Sequence, residues 1–102
     1  KWGLGYAELA AINPGLVMVR VSGFGQTGPY AHRAGYGSIG EAMGGIRYLA
    51  GDPDRPPSRV GLSIGDSLAA TFACLGTLAA LHHRHTSGRG QVVDAAIYEA
   101  VL

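Results

Sequence analysis

The spacing of apolar positions changes several times along the chain, and each change marks an element. Tyr6 to Ile12 is built on Ala-Glu-Leu-Ala-Ala, all strong helix formers, and Asn13-Pro14-Gly15 follows. Proline and glycine end helices, so a short helix and then a turn are expected. Leu16 to Val21 reads Leu-Val-Met-Val-Arg-Val, a nearly continuous apolar run of strand length in which Arg20 is the only charge. Such a run predicts a strand covered on both faces. Ser22 to Gly37 is glycine-rich and aperiodic. Ser38 to Met43 then predicts a short helix ended by Gly44-Gly45, and Ile46 to Ala50 a short strand. Gly51 to Ser58, with three prolines and two aspartates, has the composition of a surface loop.

The longest regular pattern runs from Ser63 to His85. Ile64, Leu68, Phe72, Leu75, Leu78, Ala79 and His82 recur every three or four residues, the spacing of one helix face. Ala69, Ala70, Ala73, Gly76, Ala79 and Ala80 occupy much of the remainder, so the helix is expected to pack on several sides and to be largely buried. Thr86-Ser87-Gly88-Arg89-Gly90 supplies a glycine stop and a turn. Gln91 to Ile97 reads as a second strand, and Ala-Ile-Tyr-Glu-Ala-Val-Leu opens a further helix at the end of the chain. Strand, crossover helix, strand is the order of an α/β layer with parallel strands.

Composition narrows the class. The 102 residues are 47% hydrophobic and 15% charged, with a formal net charge of +1. That length holds one small domain burying about two-thirds of its unfolded surface. The apolar content is too high and the net charge too low for a disordered chain, and nothing suggests a nucleic-acid partner. No apolar run approaches the ~20 residues of a membrane span, and no signal pattern opens the chain, so no membrane partner is expected. A single cysteine, Cys74, makes no internal disulfide, which favours a reducing, cytoplasmic setting. The chain opens at Lys1 without an initiator methionine and stops at Leu102 inside an apolar helical run. Termini usually lie in exposed polar sequence, which suggests a segment of a longer protein.

Three groups of residues invite chemistry. Gly23-Phe24-Gly25-Gln26-Thr27-Gly28 has the GxGxxG spacing after a predicted strand. A dinucleotide loop must open a helix, however, and Pro29-Tyr30 with Gly35 and Gly37 breaks any helical pattern. What remains is a glycine-rich loop at the C-terminal end of a strand, where a ligand can approach the backbone closely. Asp66 is an isolated carboxylate among small and apolar residues at the start of the long helix. It reads either as an N-cap, a role Ser63 can equally fill, or as a nucleophile able to form an acyl intermediate. His82, His83 and His85 surround Arg84, but no carboxylate or thiol nearby completes a ligand set, so no metal is expected. Cys74, between Ala73 and Leu75, is expected to be a buried, inert thiol.

Taken together, Asn13-Pro14, Val21-Ser22-Gly23-Phe24-Gly25-Gln26-Thr27-Gly28-Pro29, Gly44-Gly45, Gly65-Asp66-Ser67, Thr86-Ser87-Gly88-Arg89-Gly90-Gln91 and Val93-Asp94 resemble, in order, the class III CoA-transferases of the CaiB/BaiF family. Family members are several times longer. The resemblance therefore implies that residues 1–102 are an internal segment of the large domain, part of a Rossmann-like open parallel sheet with packed helices and no second domain. It implies Asp66 as the catalytic nucleophile, which outweighs the capping reading, and it places Ser22, Gly23, Phe24 and Gly25 near the pantetheine and acyl group. Coenzyme A would be a substrate, with no tightly bound cofactor, and the partners would be an acyl-CoA and a carboxylic acid. Full-length members form intertwined homodimers, so the isolated segment is expected to be inactive. The same family contains α-methylacyl-CoA racemases, which carry a His-Asp pair where this chain has Tyr36-Gly37. Without that histidine the two-base arrangement is incomplete, leaving transferase as the favoured reading over a racemase or a non-catalytic, nucleotide-binding α/β segment.

Overall fold

The computed structural model describes residues 2–102. Its elements run α1 (Tyr6–Ile12), β1 (Met18–Ser22), α2 (Gly37–Met43), α3 (Ile46–Leu49), α4 (Ile64–Ser87), β2 (Val92–Ala96) and α5 (Ile97–Val101). The two strands pair in parallel, from Met18 opposite Val92 to Ser22 opposite Ala96. This is the expected α/β layer, with α4 as the long helix of the crossover.

Polar ties fix the ends of that layer. At the N-terminal edge of the strands, the Gly90 amide donates to the Pro14 carbonyl at 2.8 Å, and Arg84 Nη1 donates to the Gly15 carbonyl at 3.2 Å. At the C-terminal edge, the Tyr98 amide donates to the Gly23 carbonyl at 3.0 Å. Since Arg84 lies in the last turn of α4, that helix runs back against the strands and brings its first turn to their C-terminal edge. Gly88 ends α4 with φ of 70°, a left-handed conformation that costs glycine no Cβ clash.

Five expectations are corrected. Ile46 to Ala50 is no strand: Ile46–Leu49 form the single turn α3, opened by Gly45 at φ of 86°. So short an apolar stretch carries no period that separates strand from helix. β1 is covered on one face only, with Val19 and Val21 exposed, because the helices pack against one side of the pair. α4 is not largely buried either. Gly65, Ala69, Ala73 and Ala80 are its buried residues, whereas Phe72, Leu75 and Leu78 are more than half exposed. Cys74 lies on the open side of the helix and is exposed. The fifth correction concerns apolar length, since α4 is long and apolar enough, by length and composition, to cross a membrane. Its contacts with both strands, α2 and α5 make it a packed element of an α/β layer.

The core is correspondingly thin. It consists of Ala69, Ala73, Ala80, Ala95, Ala96, Ile97 and Val101, joined by one buried charge, Glu41. The radius of gyration is 16.6 Å, against about 13 Å for a compact domain of ~100 residues.

Candidate active site

Asp66 is the third residue of α4, after the N-cap Ser63, and its side chain is exposed at the C-terminal edge of the sheet. The helix N-cap forms no side-chain hydrogen bond, so the capping role considered for Ser63 or Asp66 is not realised. What the position does provide is the field of a 24-residue helix, whose N-terminal end favours negative charge in the first turn. The carboxylate rests against the backbone at the start of α2. A Cβ on Gly37 would stand 2.5 Å from Asp66 Oδ2, and one on Gly65 would stand 3.3 Å from the Gly37 carbonyl oxygen.

The glycine-rich loop converges on the same edge. Ser22 is the last residue of β1, opposite Ala96. Gly23 and Gly35 approach Cα to Cα so closely that neither position has room for a side chain. One residue, Tyr36, separates Gly35 from Gly37, so their Cα atoms lie within ~7 Å. The loop that holds Ser22, Gly23, Phe24 and Gly25 is thus joined to the Asp66 carboxylate through the Gly35-Tyr36-Gly37 segment, and the structure brings together the residues singled out from sequence. No helix follows the GxGxxG string, because α2 opens only at Gly37, and this removes the dinucleotide geometry.

Several residues that support the site were not weighed from sequence. The backbone amide of Gln26 donates to Asp94 Oδ2 at 2.7 Å, and the same oxygen lies 3.3 Å from where a Cβ on Gly25 would be. Asp94, projecting from β2, thereby clamps the loop to the neighbouring strand. Gln26 Nε2 adds a longer bond to Ser22 Oγ, 3.3 Å. The Phe24 ring meets Tyr30 edge-on at 5.4 Å and Tyr98 at 6.1 Å between centroids, and the Arg33 guanidinium covers Tyr30 at 4.4 Å. Gly35 and Gly37 read from sequence as breaks in a pattern, and Gly37 also as part of the Tyr36-Gly37 that stands in place of a racemase His-Asp pair, although glycines flanking a single residue are also what two closely crossing backbones require. Glu41 is fully buried, receives the Val60 amide at 3.4 Å and faces Arg47 at 3.6 Å. It ties α2 and α3 to the segment leading into α4. Its position in an otherwise small, apolar helix was the available signal.

The histidine cluster stays apart from this site. His82, His83 and His85 are all exposed near the far end of α4. An open groove lined by Ala69, Phe72, Asp94, Ala95, Ala96, Glu99 and Ala100 runs beside α4 and does not include Asp66.

The profile of CoA-transferase family III matches residues 1–102, the whole chain. The chain belongs to CoA-transferase family III. It is 72% identical, over all 102 residues, to the succinyl-CoA–D-citramalate CoA-transferase of Chloroflexus aurantiacus. It is 51% identical to the beta subunit of the succinyl-CoA–L-malate CoA-transferase of the same organism. It covers 25% of each of those proteins, so this family III chain spans about a quarter of the length of the curated relatives it matches. Among solved structures, a CaiB/BaiF family protein from Brucella suis superposes with a TM-score of 0.94 at 41% identity, over 97% of this chain and 26% of that one.

Proposed function

We propose that this chain is an internal segment of the large domain of a family III CoA-transferase, and that it supplies the nucleophile, Asp66, for CoA exchange between an acyl-CoA and a free carboxylate. One observation carries the reading: the Asp66 carboxylate is exposed at the C-terminal edge of the parallel sheet, in the first turn of α4, free of any capping bond and within one short segment of the glycine-rich loop. Open α/β sheets bind ligands at that edge.

The chemistry follows from a carboxylate held there. An Asp66 oxygen attacks the thioester carbonyl carbon, the C–S bond breaks, and the electron pair leaves on the CoA thiolate, giving a mixed anhydride. The thiolate then attacks the aspartyl carbonyl and releases the donor as its carboxylate, leaving an aspartyl-CoA thioester. The acceptor carboxylate attacks that thioester, and the returning thiolate takes its acyl group, which regenerates Asp66. The helix N-terminus favours the negative charge that gathers near the reacting carbonyl oxygen. The loop from Ser22 to Gly25, clamped by Asp94, presents backbone to the pantetheine and acyl group. The likeness to a succinyl-CoA–D-citramalate enzyme supports succinyl-CoA as donor and a short hydroxy-dicarboxylate as acceptor.

The decisive test is Asp66→Ala in the full-length enzyme. Acyl-enzyme formation and CoA exchange are expected to vanish while the fold persists; retained turnover would remove the proposal. The 102-residue segment by itself is expected to be inactive and to associate or fold incompletely. A monodisperse, cooperatively unfolding monomer with transferase activity would contradict that.

A further inference from the structure

α2 and its C-cap turn three glycines, Gly37, Gly40 and Gly44, toward their neighbours, but they do not do the same thing. A Cβ on Gly40 would stand 2.9 Å from Ile97 Cγ2, and one on Gly44 would stand 2.7 Å from Val101 Cγ1. Both contacts are packing of α2 on α5. Gly37 instead faces the carboxyl group of Asp66: its missing Cβ would lie 2.5 Å from Oδ2, 3.1 Å from Cγ and 3.3 Å from Oδ1. Oδ2 therefore rests in space that any other residue would fill, and Cγ and Oδ1 lie in tight contact with it.

We infer that Gly37 is the positioning residue of this site: the hydrogen in place of its side chain lets the Asp66 carboxylate seat against the start of α2, which sets the direction from which it meets substrate. The inference rests on the reading of Asp66 as the nucleophile. The backbone at Gly37 has little freedom to retreat. Its carbonyl oxygen is backed by Gly65, where a Cβ would be 3.3 Å away, and the carbonyl of Tyr36, the N-cap of α2, accepts the Ile39 and Gly40 amides at 2.8 and 3.1 Å. The Asp66 side chain, exposed and turning about two single bonds, is the part that yields. Gly37 itself has helical backbone, which alanine prefers. A methyl group at 37 thus leaves the fold intact and moves the carboxylate.

Gly37→Ala in the full-length enzyme, assayed for CoA exchange between succinyl-CoA and D-citramalate, is expected to lower kcat by about a hundredfold, the cost of a displacement near 1 Å in a reacting group. The KM for acyl-CoA and the melting temperature should stay close to those of the parent. Gly40→Ala is the comparator: it disturbs the same helix against Ile97, so it should lower the melting temperature and leave kcat unchanged. The pair Gly37→Ala and Asp66→Glu gives a second reading. The longer side chain carries its carboxylate past the seat, so Asp66→Glu alone loses activity, and adding Gly37→Ala lowers it no further. A parental kcat in Gly37→Ala, an unfolded Gly37→Ala protein, or losses that multiply in the double variant would each overturn the inference. Full activity in Asp66→Ala would instead remove the nucleophile reading itself.

Discussion

The two faces of α4 have opposite fates. Gly65, Ala69, Ala73 and Ala80 touch the strands and the flanking helices, and Ala69 is 0% exposed. Phe72, Leu75 and Leu78, large apolar residues on the other face, are 53%, 56% and 58% exposed. The periodic stripe of large residues is the stronger pattern, yet the chain buries the quieter stripe of small ones. The reason is distance. At Gly76 a Cβ would come within 2.7 Å of Val93 Cγ1, so helix and sheet approach too closely here for a side chain of any length. Small residues give the contact its closeness, and the large residues face away from it.

That contrast can be tested on both sides. The largest effect is expected on the inner face, where Ala69→Leu adds three carbons at a fully buried position; a loss of about 3 kcal/mol in the full-length enzyme should be visible in denaturant unfolding. A tolerated leucine would mean that the inner face is looser than the structure indicates. Asp94→Ala comes next. It leaves the Gln26 amide to water instead of its charged acceptor, and it frees the glycine-rich loop from β2. The KM for acyl-CoA should rise several-fold, whereas Gly40→Ala leaves it alone; an unchanged KM would separate the loop from substrate binding. The smallest effect on the segment alone is expected on the outer face. Leu75→Gln with Leu78→Gln should reduce its self-association in sedimentation experiments and leave its helical circular dichroism near the parental value. Undiminished association would show that another surface brings copies together.

Much of this architecture was legible from local rules. The helix from Tyr6 to Ile12 follows from its alanines and the Asn-Pro-Gly stop, the long helix from its spacing and Gly88, and the second strand from its β-branched start. Where reading failed, the deciding contacts were distant in sequence. Ile46–Leu49 carries too few residues for a period, and Gly45 decided it as a turn of helix. The exposure of Cys74 and of the Val19–Val21 face depended on which side the helices took, and no pattern within those segments encodes that. The same holds for the site. Asp66 stood out as a lone carboxylate at a helix start, and its motif carried the resemblance. Gly35 and Gly37 looked like interruptions, because their purpose lies in Gly23 and Asp66, which reach them only through the fold.

By itself, then, the sequence determined the order of the elements apart from α3, and the parallel α/β layer, both of which depend on residues close together in the chain; Asp66 became the candidate nucleophile through the family resemblance. Only the tertiary structure decided which stripe of α4 is buried, how Asp94 holds the glycine-rich loop, and that Gly37 lies under the Asp66 carboxylate. Those facts depend on the distance between segments that lie far apart in sequence, and composition and periodicity carry no measure of that distance.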